Sequence, residues 1–232
     1  LEMLKPLPID GVECYPGQTL SDKFPNVKVG PKMPKEAREY MKKLFKDSGL
    51  KMVAFGVVSR YDTETEKDIE AVCKFAKEMG ADRVLSENPV ARFPIWDKVG
   101  KKYGVTMCVH HHSMTSPNQY WEPLVLAKYT SGYDNVKANP DIGHWSLCAI
   151  DPVEGLKTLR GKYVSLHFKD QKEFGVPKNQ CVVLGKGAFD MKAILSELDS
   201  QGFDGFLTLE NENIASNPMP VIKECVEYLR KN

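Results

Sequence analysis

The stretch TEKDIEAVCKFAKEMGADRVLS, residues 65–86, decides the fold. Its first part places Ile69, Val72, Phe75 and Ala76 at helical spacing, so one apolar face runs along an otherwise charged segment. Gly80 stands where a left-handed C-cap stops a helix, and residues 82–86 follow as a short strand-like run.

The same rhythm extends in both directions. Helices are predicted over residues 35–47, 65–79, 94–103, 119–130, 152–159, 191–200 and 218–230. Gly49, Gly80, Gly104, Gly132, Gly161 and Gly202 each follow one of them. Strand-like runs come next, over residues 51–58, 82–86, 105–109, 136–138, 163–168 and 206–209, and residues 10–15 add one at the start. Strands alternating with crossover helices make an α/β fold with a parallel sheet. The reading is a (β/α)8 TIM barrel, one domain over residues 1–232, whose first strand lies upstream of Leu1 or is missing from this chain. A seven-stranded open doubly wound sheet ranks second, because no glycine-rich nucleotide loop follows the first visible strand.

Composition narrows the partners. With 32 basic and 31 acidic side chains the formal net charge is +1, so no field of one sign draws in nucleic acid or an anionic membrane. The longest apolar runs, such as residues 52–58, are too short to cross a bilayer. Residues 1–8 carry no signal-peptide pattern, which points to the cytoplasm, or to the periplasm if a leader has been removed. Six cysteines without CxxC spacing read as small core side chains of a reducing compartment.

In a parallel barrel, chemistry projects from the C-terminal ends of the strands. The histidines His110, His111, His112, His144 and His167 all fall at or just past such ends. On an extended chain His110 and His112 point the same way, while His111 faces away and is assigned no role. Asp141, Lys169, Asp170, Glu210 and Glu212 occupy further strand ends. Converging nitrogen and oxygen donors of this kind suit zinc, manganese, iron or cobalt. Each residue also has a structural reading: Asp141 could cap the turn at Gly143, and Glu210 could pair with a lysine. Their grouping on four strand ends favours chemistry.

The chain also resembles the xylose-isomerase-like TIM-barrel family of sugar phosphate isomerases and epimerases. The likeness runs from residues 12–18 to the C-terminal helix. Its most specific parts are Asp141-Ile142-Gly143-His144-Trp145, His167-Phe168-Lys169-Asp170, Gly185-Lys186-Gly187 with Asp190, and Leu209-Glu210. The resemblance implies one divalent metal ion (Zn, Mn, Co, Fe or Mg) held by one residue from each of four strands. Asp141, His167 and Glu210 carry over directly. Where a glutamate is common, this chain has His110, with His112 as the alternative fourth ligand.

The implied reaction is a sugar isomerisation or epimerisation by proton abstraction next to a carbonyl, through a metal-stabilised enediolate. Glu210 is the expected base, Glu87 a second candidate, and Lys169 the group that protonates or stabilises the substrate oxygen. His112, His144, Glu13, Tyr15, Trp145 and Lys186 are expected to contact substrate, and residues 185–187 to lie over it as a lid. The expected partner is a small sugar or keto-sugar, and a homo-oligomer is compatible with the fold. The rival readings are a lyase or hydratase of 3-keto-glycosides on the same metal site, an abasic-site endonuclease, which the charge disfavours, and a catalytically silent sugar-binding barrel.

Overall fold

In the computed structural model, which describes residues 1–116, 118–212 and 217–232, strands and helices alternate in the predicted order. The chain divides into two units, Leu1–Cys108 with Gly132–Lys137, and Val109–Ser131 with Ala138–Asn232.

The first unit holds β1 (Gly11–Cys14), β2 (Thr19–Ser21), β3 (Phe24–Lys28), α1 (Lys35–Ser48), β4 (Lys51–Val58), α2 (Glu66–Glu78), β5 (Arg83–Ser86) and α3 (Phe93–Tyr103). It also holds the first residues of β6 (Thr106–His110) and of β7 (Val136–Asn139). The sheet order is β1-β4-β5-β6-β7, with β4 parallel to both β1 and β5. Most of β4 is buried, as expected of a strand covered on both faces. Helix α2 starts at a capping box: Thr65 accepts from the Asp68 amide at 3.2 Å, and Asp68 accepts from the Thr65 amide at 2.9 Å. It buries Ile69, Val72, Cys73, Phe75 and Ala76, and Phe75 meets Phe55 of β4 edge-on at 5.0 Å. Burying each larger apolar side chain contributes about 1.5–3 kcal/mol. The antiparallel β2–β3 hairpin was not expected, because its strands are too short to show alternation.

The second unit contains α4 (Pro123–Thr130), α5 (Ile142–Leu147), α6 (Pro152–Thr158), β8 (Ser165–Phe168), β9 (Asp170–Gln171), β10 (Cys181–Val182), α7 (Met191–Ser200), β11 (Phe206–Leu209) and α8 (Met219–Lys231). Strand β8 pairs in parallel with β11, from Ser165 opposite Phe206 to Phe168 opposite Leu209. Parallel bridges Ala138–Tyr163 and Asp141–His167 set the end of β7 against β8. Helix α4 begins later than the pattern suggests, because Glu122 caps it by accepting from the Leu124 and Val125 amides. Leu126, Ile142, Trp145, Leu156, Leu166 and Phe168 are fully buried.

The six cysteines are free and buried, in keeping with core side chains. Among the described residues no helix is long and apolar enough to cross a membrane.

Candidate metal centre

Four strand ends of the second unit converge. His110 ends β6, Asp141 follows β7, His167 lies near the end of β8 and Glu210 follows β11. Donor atoms of His110, Asp141 and His167 lie within 4.8 Å of one another, and Glu210 Oε2 is 3.0 Å from His167 Nδ1. His110 is placed by Asn139: its Nδ1–H donates to Asn139 Oδ1 at 3.0 Å, while Asn139 Nδ2 donates to Ser165 Oγ at 2.9 Å. This arrangement puts the ring proton on Nδ1 and leaves Nε2 as the donor atom. Burial, reinforced by His167, holds the His110 pKa well below the usual imidazole range, so the ring is neutral.

Asp141 is wholly buried and does two jobs. Oδ1 accepts from the His144 amide at 2.9 Å, which makes Asp141 the N-cap of α5. Oδ2 has no well-formed hydrogen bond, although Lys169 Nζ lies 3.0 Å away, His167 Nδ1 3.7 Å and His144 Nε2 3.8 Å. Burial alone would raise the Asp141 pKa, but the Lys169 ammonium, aided by the neighbouring His144 and His167 imidazoles, holds it well below the carboxylate range. A buried ionised oxygen without a well-directed donor is what a cation completes.

Lys169 is also buried, and its ammonium sits 2.6 Å from Glu210 and 3.1 Å from Glu212. Burial opposes its charge, while Asp141, Glu210 and Glu212 raise its pKa and keep it protonated. Gly143 makes room for this lysine: a Cβ there would stand 2.2 Å from Lys169 Cγ. Burial pushes the Glu210 pKa up, but His167 and Lys169 outweigh it and bring it down to about 2. His144 is held neutral chiefly by burial.

Three carboxylates against one ammonium leave a formal surplus of two negative charges, which a divalent ion balances. His110, His112 and His144 form a second donor group within 4.8 Å. With its Nδ1 engaged by Asn139, His110 has one nitrogen to offer, so it can serve only one ion. The set that includes carboxylates is the better match for a divalent cation of intermediate hardness.

Residues 1–232 match the family described as the xylose isomerase-like TIM barrel. The chain belongs to that family. Its parallel strands and intervening helices are those of an α/β TIM-barrel-like fold. An inosose dehydratase of Lacticaseibacillus casei is 26% identical over 145 residues, 56% of this chain and 48% of that protein. The chain thus spans about half the length of the curated relatives it matches. The crystal structure of an uncharacterised protein from Parabacteroides distasonis superposes with a TM-score of 0.77 at 25% identity, covering 99% of this chain and 90% of that one. The crystal structure of IOLI protein with a zinc atom superposes with a TM-score of 0.76 at 17% identity, covering 99% and 90%.

Glu13, Tyr15 and Glu87 belong to the first unit: Glu13 lies on β1 opposite Ala54, Tyr15 is exposed and Glu87 follows β5. Trp145 presents no surface to a substrate, contrary to expectation. It is fully buried, stacks on His111 with centroids 5.4 Å apart, and donates from Nε1 to the Trp121 carbonyl at 3.0 Å.

Lys186 is exposed and pairs with Glu224. The amides of its flanking glycines, expected as part of a lid, are bonded inside the protein. Gly185 and Gly187 donate to Asp170 Oδ2 at 3.0 and 2.9 Å, and Phe189 donates to Oδ1 at 3.4 Å. A Cβ at Gly187 would stand 2.2 Å from Asp170 Oδ1, so glycine is required by close approach. Asn139 and His111 have no role in the sequence reading, and Glu212 enters it only as one of the strand-end donors. Glu212 stood at a strand end, the signal that selected its neighbours, whereas the partners of Asn139 and His111 are distant in sequence.

Proposed function

We propose that the chain is a divalent-metal-dependent enzyme that moves a proton on the carbon next to the carbonyl of a sugar or keto-sugar, as an isomerase or epimerase. The observation that carries this reading is the convergence of Glu210 and Lys169 on the same strand ends as His110, Asp141 and His167. His110, Asp141, His167 and Glu210 would hold the ion. When bound, such an ion supplies Lewis-acid stabilisation of charge developing on a substrate oxygen.

The side chains divide the remaining work. Glu210, ionised and with part of its side chain open to solvent, takes the proton from carbon. The electron pair left behind moves onto the carbonyl oxygen, where the Lys169 ammonium donates a hydrogen bond. As Lys169 turns toward substrate, Glu210 loses a charge partner and becomes a stronger base. Return of the proton to the former carbonyl carbon, while the adjacent hydroxyl gives its proton to the first oxygen and becomes the new carbonyl, is isomerisation. Its delivery to the other face of the original carbon by a second acid is epimerisation. Glu212, beside Lys169, is the candidate for that acid. His112 and His144 contact substrate hydroxyls.

A second reading is dehydration, favoured by the inosose dehydratase relative. The same proton leaves, a hydroxyl departs from the next carbon with a proton from an acid, and water and an unsaturated ketone result.

The test is incubation with Mn2+ and a panel of ketoses and 3-keto-glucosides in heavy water. Deuterium at carbon with an isomeric product supports the first reading, and an unsaturated product supports the second. Glu210→Gln should lower exchange by about 10²–10⁴-fold. Metal uptake without exchange on any substrate would leave a silent sugar-binding barrel.

A further inference from the structure

His111 has no part in the reading above, yet it is fully buried beside the centre. The backbone N–H of Asp141 donates to His111 Nε2 at 2.9 Å. That bond makes Nε2 an acceptor, so the ring proton lies on Nδ1, which meets the His112 carbonyl at 3.2 Å. The ring also stacks on Trp145 of α5, at an interplanar angle of 26°. One imidazole therefore ties together the backbones of Asp141 and His112 and the first helix after β7.

The link matters because the Asp141 side chain is already directed at one end. Oδ1 is held by the α5 cap, which aims Oδ2 at Lys169 and His167. The Pro140–Asp141 peptide is held from both edges: the His167 amide donates to the Pro140 carbonyl at 2.9 Å, and His111 accepts from the Asp141 N–H on the other side. We propose that His111 is a positioning residue for the metal centre: it sets the direction of Asp141 Oδ2 through the backbone and never touches substrate or ion. This inference rests on the metal-dependent reading above.

The test uses cobalt, whose visible spectrum reports both affinity and ligand geometry, on the full chain. His111→Phe keeps the aromatic stack and removes the acceptor, while His111→Gln keeps a carbonyl acceptor at similar reach. His111→Phe should bind Co2+ about 10–100-fold more weakly with an altered spectrum, the range seen when a group supporting a metal ligand is removed. His111→Gln should return both affinity and spectrum toward the parent. Equal affinity and spectrum in the parent and His111→Phe would overturn the inference and leave the proposed function standing. A parent that takes up no cobalt overturns both.

Should His111→Phe not fold, His111→Asn makes the same comparison. It can still donate to the His112 carbonyl but is too short to reach the Asp141 amide, and parental binding there is equally fatal. Independently of any metal, a through-hydrogen-bond 15N–15N coupling should join the Asp141 amide and His111 Nε2 in the parent; a ring whose Nε2 carries the proton would contradict the inference.

Discussion

The Lys169 ammonium stands 3.0 Å from Asp141 Oδ2, and both side chains are wholly buried. Two more carboxylates, Glu210 and Glu212, reach the same nitrogen from the half-exposed side. The pair is possible because Gly143, two residues after Asp141, lets the lysine stem lie where a Cβ would be. Local helix capping and a distant cation thus act on one carboxylate from its two oxygens.

Removing that cation leaves the carboxylates to repel one another. Lys169→Met should destabilise the metal-free protein by about 3 kcal/mol, the scale for breaking a buried pair from one side. Added Mn2+ should then raise the melting temperature of the variant more than that of the parent. Thermal unfolding with and without the ion checks this, and an equal shift in both proteins would speak against a shared cation site.

Asp141 and His167 are two of the four proposed ligands. Parent protein purified without chelator should carry about one divalent ion per chain, and folded Asp141→Ala and His167→Ala should carry none. Elemental mass spectrometry decides it. Metal retained in both variants would place the ion elsewhere.

In the proposed metal centre, Asn139 would act through His110. Asn139→Leu removes the acceptor for Nδ1–H and leaves Ser165 without its amide partner. Divalent-ion affinity should drop by about 10–100-fold. Asn139→Asp, which keeps an acceptor for the imidazole, should retain most of it. Calorimetric titration distinguishes the two.

Asp170 organises residues 171–190 by accepting three backbone amides. An asparagine must turn its NH2 toward at least one of those donors, so Asp170→Asn should cost about 2–3 kcal/mol, the scale of charge-assisted bonds lost on burial. Gly187→Ala should cost stability by forcing the same carboxylate to move. Limited proteolysis should cut both variants faster between residues 171 and 190, and unfolding in urea measures the loss.

Much of the fold was legible because periodicity and capping are local. The Ile69–Ala76 face and the glycines after six of the seven helices need only their neighbours in the chain, and the strands at Lys51–Val58 and Phe206–Leu209 appear at the predicted bounds. Helix α5 escaped notice for the same reason: six residues are too few to show a period, and its start depends on how Asp141 is held. The alternation rule gave His111 no role and said nothing of its bond to an amide across the unit.

The sequence by itself determined the strand–helix order and which donors stand at strand ends, since both follow from spacing along the chain. Tertiary structure alone decided which nitrogen His110 offers, what Asp141 Oδ2 faces and that the Gly-Lys-Gly amides hold Asp170. Those outcomes depend on partners 29, 28 and 17 positions away, His110 with Asn139, Asp141 with Lys169 and Asp170 with Gly187, and only folding puts such atoms within hydrogen-bonding distance.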